Sequence, residues 1–336
     1  MAPDAYSTVR LMPRQISLDL IRDAAASVYP IVVRTPLVRL AVPDDMPLAR
    51  AGGAELYLKL ETLQSIGSFK IRGAVNAIHQ LTSDELARGV WTVSAGNAAQ
   101  GVALAARTRG AACSVMVMET APLTKLAAIG RLGARLVKAS YDECWRAVEE
   151  HGSDRMGGVF IHPFDDDRFI AGNATAGLEI LEDLPDVDTV IAPIGGGGLI
   201  AGVGSALRAL KPDVKIVAAE PATAAPLAAS LRAGAASRFP EWEASFVDGA
   251  GGKAVLPSMW PLLSTLVTDS IVVSLDEVAQ AMRIVAERAR VVSEGAAACA
   301  VAAALTGRAG QGKIVAVVSG GNIDLARFAA LTTNGA

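Results

Sequence analysis

The stretch Thr189-Val190-Ile191-Ala192-Pro193-Ile194-Gly195-Gly196-Gly197-Gly198-Leu199-Ile200-Ala201 reads as an apolar strand, a glycine turn and the start of a helix. No charged side chain occurs from Thr189 to Leu207, a length that in principle spans a bilayer. Pro193 and the four glycines break a membrane helix, so strand, loop and helix is the better reading. Such a unit belongs in a parallel sheet covered by helices.

Working outward, the same alternation recurs. Downstream come a helix over Leu199–Leu210, a strand Lys215–Glu220, an irregular region to about Ser270 and a strand Ile271–Ser274. A helix Leu275–Arg290, an alanine-rich helix Gly295–Leu305 and a strand Lys313–Ser319 follow. Upstream lie strands at Val90–Ala95, Cys113–Met118, Arg135–Ala139 and Val159–His162. Helices near Ala98–Arg109, Thr124–Leu132 and Tyr141–His151 separate them, and an amphipathic helix spans Gly172–Leu181. The expected class is α/β, with two parallel sheets in three-layer domains. The small one, 89–165, is inserted into a large one formed by 1–88 and 166–336.

The 336 residues, 51% hydrophobic and 19% charged, describe a globular chain. A formal net charge of −3 and scattered lysines and arginines leave no basic face for nucleic acid or an anionic membrane. Cys113, Cys144 and Cys299 are too far apart for a metal or CxxC pattern, which suits reduced thiols in a cytoplasmic protein. His79, His151 and His162 form no metal-binding spacing, and no GxSxG accompanies them. Asp4, Arg10, Arg14 and Asp19 interrupt any secretory leader.

Four motifs carry chemistry. In Gly67-Ser68-Phe69-Lys70-Ile71-Arg72-Gly73 a lysine stands just before a helical run; a partly desolvated lysine amine forms a Schiff base with an aldehyde. Gly195, Gly196, Gly197 and Gly198 let backbone N–H groups and a helix N-terminus approach a phosphate. Ser94-Ala95-Gly96-Asn97 repeats that logic for a substrate carboxylate, with a simple helix cap by Ser94 or Asn97 as the bland alternative. Ser319-Gly320-Gly321-Asn322 closes the last strand, as a turn or as a hydroxyl aimed at a heteroaromatic nitrogen. A rival stands beside these. Gly196 to Ala201 also fits GxGxxA, and Glu220 ends the next strand where a dinucleotide fold places its ribose acid, so an NAD-dependent dehydrogenase stays open on spacing alone.

Taken in order, with Lys59-Leu60-Glu61 ahead of the lysine, the four motifs resemble the fold-type II pyridoxal-phosphate enzymes, tryptophan synthase β-like in architecture. Within them the chain is most similar to the threonine/serine dehydratases and serine racemase, from about Thr35 to Leu325. The resemblance implies pyridoxal 5'-phosphate as cofactor, Lys70 as the catalytic amine bonded to it, and Phe69 beside its ring. Asn97 would contact the ring hydroxyl, Gly195 to Gly198 the phosphate, Ser319 the ring nitrogen, and Glu294 would be an acid near the cofactor. Ser94, Ala95, Gly96 and Asn97 would receive the substrate. The implied reaction releases a 2-oxo acid and ammonia from a β-hydroxy amino acid such as L-threonine or L-serine, in a homodimer.

Two departures qualify the substrate. Serine racemases carry a serine where Ala95 stands, so elimination rather than racemisation is expected. Ala98 replaces the family's usual histidine, which opens 3-hydroxyaspartate or hydroxyectoine breakdown as alternatives, or a non-catalytic sensor of the cofactor or an amino acid. Pro226 stands where relatives place a second acid after Glu220, so no metal site is expected. The short tail after the serine loop predicts no regulatory domain there.

Overall fold

The computed structural model describes residues 14–333. The expectation about a leader that rests on Asp4 and Arg10, and the outermost domain limits at 1–13 and 334–336, lie outside the described residues. Among the described residues ten strands form two sheets: β1 (Leu37–Arg39), β2 (Ala54–Leu60), β3 (Val90–Val93), β4 (Cys113–Met118), β5 (Arg135–Ala139), β6 (Val159–Phe160), β7 (Thr189–Pro193), β8 (Lys215–Pro221), β9 (Asp269–Val273) and β10 (Gly312–Val318). The six-stranded sheet has the order β1-β2-β10-β7-β8-β9, and the four-stranded sheet the order β5-β4-β3-β6. Pairing is parallel throughout except between β1 and β2. The strands preceding Lys70 join the six-stranded sheet through β2 and β10.

Strand side chains alternate between two buried faces, so the middles of the central strands β7 and β10, residues 190–192 and 314–318, are apolar on both sides. Val190, Ala192, Val315 and Val317 pack with helices Asp167–Asp183 and Gly198–Leu210. Ile191, Ile314, Ala316 and Val318 pack on the opposite face with helices Leu275–Ile284 and Gly295–Leu305. Every residue of Gly295–Leu305 is buried, Cys299 included. Its small side chains let that helix lie close to the sheet.

The helix Lys70–His79 lies between helices Asn97–Thr108 and Asp167–Asp183. Glycines make the approach possible: a Cβ on Gly73 would fall 2.2 Å from the Phe169 ring, and one on Gly172 2.4 Å from the Arg72 carbonyl oxygen. Between these helices Arg72 is completely buried, with paired hydrogen bonds to Glu61 (2.8 and 2.8 Å) and Glu179 (2.7 and 2.8 Å). Lys59 Nζ meets Glu179 at 2.6 Å and donates to the Thr35 carbonyl.

Several expectations need correction. The helix expected from Gly172 begins at Asp167, because the Asp166 carboxylate accepts from the Arg168 amide and starts it a turn and a half earlier. The helix expected to Arg290 is α-helical only to Ile284 and continues as a π turn over Val285–Ala289, ending at Arg290 with φ of 59°. The region read as irregular before Ser270 contains helices Pro226–Ala233 and Trp260–Leu266, each opened by proline in its first turn. The strand expected to His162 stops at Phe160. No helix among the described residues is long and apolar enough to cross a membrane.

Candidate active site

Lys70 is the first residue of its helix, and the segment before it is stitched to the turn after β10. Phe69 N donates to the Ser319 carbonyl (3.0 Å), Gly321 N to the Gly67 carbonyl (2.9 Å), and Ser68 bridges Gly320. This backbone pairing sets Lys70 beside Ser319, although 249 positions separate them (319 − 70). The amine Nζ donates to the Pro163 carbonyl at 2.6 Å, and lies 5.1 Å from the Phe69 ring centre and 5.4 Å from that of Phe169. Burial among these rings lowers its pKa to about 8, against the opposing pull of Glu294.

The glycine turn after β7 opens helix Gly198–Leu210, with Gly197 in the left-handed region at φ of 95°. Side chains are excluded there from three directions. A Cβ on Gly195 would lie 2.6 Å from the Gly249 oxygen, one on Gly196 2.3 Å from the Phe164 ring, and one on Gly198 2.8 Å from the Phe164 oxygen. The turn is therefore bare backbone ahead of a helix N-terminus, a surface suited to an anion.

Gly96 is the cap residue of helix Asn97–Thr108, and neither Ser94 nor Asn97 caps it by a side chain. The Gly96 amide donates to Ser94 Oγ at 3.1 Å instead, which closes the small turn. A Cβ on Gly96 would meet no protein atom within 4 Å, so the space beside it is open. Asn97 is committed: its Nδ2 donates to Glu294 Oε1 (2.8 Å), and its Oδ1 accepts from Asn322 Nδ2 (2.7 Å), which also donates to the Ile66 carbonyl (2.7 Å). Gly320 makes room for this chain, since a Cβ there would lie 2.7 Å from Glu294 Oε1. Burial, reinforced by the charge of Asp248, pushes the Glu294 carboxyl up to about 7, against the hydrogen bond from Asn97.

One cavity of about 360 Å³ collects every candidate: Lys70 and Phe69, Ser94 to Asn97, Gly195 to Gly198, Glu294 and Ser319. Ala98 lines it as well. Among the wall residues not singled out from the sequence are Asn322, Pro163, Phe164, Lys125 and Asp248. Asn322 stood in the quoted Ser319 turn without a role. Pro163 and Phe164 follow a strand with no recognisable pattern. Lys125 and Asp248 form an ion pair between helix Leu123–Arg131 and the turn Asp248–Ala250, and nothing in their local sequence announces it.

Glu220 does not face this cavity. It is fully buried, and its two oxygens accept from the Leu227 and Ala228 amides (2.7 and 2.8 Å) and from Ser270 Oγ. It serves as a remote cap for helix Pro226–Ala233, which removes the ribose-binding acid that the dehydrogenase reading requires.

The sequence profile of a family described as "Pyridoxal-phosphate dependent enzyme" matches residues 28–320. An L-threonine ammonia-lyase of Thermotoga maritima is 41% identical over 313 residues, which cover 92% of this chain and 76% of the relative. A serine racemase of Oryza sativa subsp. indica is 37% identical over 314 residues, 91% of this chain and 90% of the relative. Among solved structures, maize serine racemase matches with a TM-score of 0.85 at 36% identity, over 94% of this chain and 96% of that one.

Proposed function

The chain belongs to the pyridoxal-phosphate dependent enzymes, and from that premise we propose that it is an ammonia-lyase for a β-hydroxy amino acid. L-threonine and L-serine are the first candidates, each giving a 2-oxo acid and ammonia. The observation that carries this reading is the Lys70 amine opening on the same cavity as the glycine turn, where burial lowers its pKa to about 8. An amine so tuned is neutral often enough near neutral pH to take a proton, and still basic enough to keep it.

The residues present fit the cofactor. Gly195 to Gly198 form a bare-backbone turn, on which an added Cβ would strike neighbouring protein atoms, at a helix N-terminus, as a phosphate requires. Lys70 supplies the amine that an aldehyde needs, and Phe69 and Ser319 line the space between. When bound, the cofactor supplies an aldehyde to hold the substrate amine and a conjugated ring to spread the charge left at Cα.

In this assignment Ser94, Ala95, Gly96 and Asn97 receive the substrate carboxylate in the open space beside Gly96. Lys70 Nζ takes the Cα proton. Ser319 would offer a neutral hydroxyl to the ring nitrogen without protonating it, and Glu294, which accepts from Asn97 Nδ2, would steady Asn97 beside the cofactor. Water leaves across Cα–Cβ, and hydrolysis of the released enamine consumes one water and frees ammonia, so atoms balance. Of the residues lining the cavity, Lys70, Lys125, Asp248 and Glu294 carry ionisable side chains, and Lys125 and Asp248 are paired with each other. Ala95 adds no acid or base, which supports elimination over racemisation. Ala98 offers that wall no polar group, so a hydroxy amino acid other than threonine is the second reading.

The six- and four-stranded sheets are assigned to a large domain (1–88 with 166–336) and an inserted small one (89–165). The homodimer rests on the resemblance, and the cytoplasmic location on three free, buried cysteines. The test is 2-oxo acid release from L-threonine, L-serine and threo-3-hydroxyaspartate with pyridoxal phosphate supplied, alongside chromatography of the serine enantiomers. Turnover of at least one substrate, abolished in Lys70→Ala, is expected. D-serine formed faster than pyruvate, or normal turnover by Lys70→Ala, overturns the proposal; cofactor uptake without any turnover favours the sensor.

A further inference from the structure

A turn that belongs to no sequence motif carries two walls of the cavity. It is His162-Pro163-Phe164-Asp165, between β6 and helix Asp167–Asp183. Its Pro163 carbonyl accepts from Lys70 Nζ at 2.6 Å. Its Phe164 ring fills the space that a Cβ on Gly196 would need, and its Phe164 carbonyl lies against Gly198. The segment has no helix or strand ladder of its own, so something else must fix its shape.

His162 does so. Its Nδ1 accepts from the Asp165 amide (2.7 Å) and from the Phe164 amide (3.3 Å). Its Nε2 lies 3.2 Å from the Val148 carbonyl, which only accepts, so the proton sits on Nε2 and Nδ1 is the bare acceptor. The ring is 2% exposed, stacked on His151 with centres 4.4 Å apart and edge-on to Phe164 at 4.6 Å. Burial pushes its pKa down to about 4, against the attraction of Asp165, so the imidazole is neutral under working conditions. The far end of the turn is anchored separately: the Asp165 carboxylate takes hydrogen bonds from Arg14 and Ser258 and contacts His151. His151, His162 and Asp165 bring their polar atoms together, but Arg14 already supplies the positive charge on Asp165 and both His162 nitrogens are engaged.

We propose that His162 is a positioning residue for the reaction: its Nδ1 shapes the turn so that the Pro163 carbonyl receives the Lys70 amine and Phe164 floors the glycine cradle. The part that concerns the cofactor rests on the reading given above; the part that concerns Lys70 does not. The carbonyl holds the amine in place and favours its protonated form, so losing that aim frees the amine and makes it more reactive.

Two amide variants separate the ring's two contacts. In His162→Asn the Oδ1 stands near the position of Nδ1 and keeps the acceptor for the turn. In His162→Gln the amide reaches toward Val148 and leaves the Phe164 and Asp165 amides without it. Two readouts on the full chain apply: reductive methylation of Lys70 in cofactor-stripped protein, quantified by peptide mapping, and the dissociation constant of pyridoxal phosphate from absorbance titration. Thermal melting and near-ultraviolet circular dichroism check folding. We expect His162→Gln to methylate at Lys70 roughly tenfold faster and to bind the cofactor roughly ten- to hundredfold more weakly, with His162→Asn recovering most of both. Equal behaviour of the two variants, or the reverse order, in folded protein overturns the proposal. Should the wild-type chain take up no pyridoxal phosphate, the cofactor reading falls, while the order of Lys70 methylation still decides for or against His162.

Discussion

Replacing Arg72 by methionine tests how the lysine's helix is held. Two buried cations, Lys59 and Arg72, face two buried carboxylates, Glu61 and Glu179, and the side chains of all four are 0% exposed. Arg72 alone supplies four hydrogen bonds to the carboxylates and one to Thr175 Oγ1 at 3.0 Å. Burial would raise the Glu61 pKa, and Arg72 more than offsets this, holding the carboxyl below its ordinary value. Arg72→Met keeps an unbranched stem in place of the Arg72 methylenes but removes the guanidinium, and leaves Lys59 to serve two carboxylates. Breaking a buried pair from one side costs about 3–5 kcal/mol, because the orphaned charge stays out of water. The expected loss is of that size, and it should be partly recovered in Arg72→Met with Glu61→Gln, which removes one of the stranded charges. Urea unfolding followed by far-ultraviolet circular dichroism reads both, with the earlier transition compared if two are seen. A single variant within about 1 kcal/mol of wild type, or a double variant no more stable than the single, would refute the account of the network.

Two further outcomes follow from the cavity. The Glu294 carboxyl titrates in the fold near 7, above the ordinary 4.5, so its contribution to stability is full below pH 4.5 and is lost as the pH rises through 7. Glu294→Gln keeps an oxygen for Asn97 and cannot ionise; the stability of wild type relative to this variant should fall by roughly 2–3 kcal/mol between about pH 5 and about pH 8, and parallel curves would contradict the assignment. Gly196→Ala places a Cβ 2.3 Å from the Phe164 ring, whereas Gly96→Ala meets nothing within 4 Å. The former should lose about 1–3 kcal/mol and the latter stay within about 0.5 kcal/mol of wild type in thermal melts, with equal losses counting against the packing argument.

The parts legible in the sequence were those written in backbone requirements. A run of glycines between a strand and a helix has few other uses, so Gly195 to Gly198 could be marked without knowing their neighbours, whereas Ser94 to Asn97 and Ser319 also read as a helix cap and a turn and took their assignment from the order of the motifs. Lys70 was marked by what surrounded it in order along the chain. Phe164 and His162 left no such trace, because their work depends on partners at Gly196, Lys70 and Val148 that only the packed fold supplies. The Asn97–Glu294 contact spans 197 positions and the Lys125–Asp248 pair 123, beyond any periodicity. Helix Pro226–Ala233 was missed for a related reason: its first-turn amides are capped by Glu220 from the preceding strand, not by a residue next to its start. The early start of helix Asp167–Asp183 was readable in principle from Asp166, an N-cap residue type, but the apolar periodicity becomes regular only later.

The alanine-rich helix gives the protein an internal clock. Cys299 sits midway along a helix with no exposed residue, against the six-stranded sheet, and its thiol is held far above the ordinary range by burial. Its neighbours along the helix are all interior. Its alkylation reports on the large sheet parting from its helical cover, so the rate records an opening of the core.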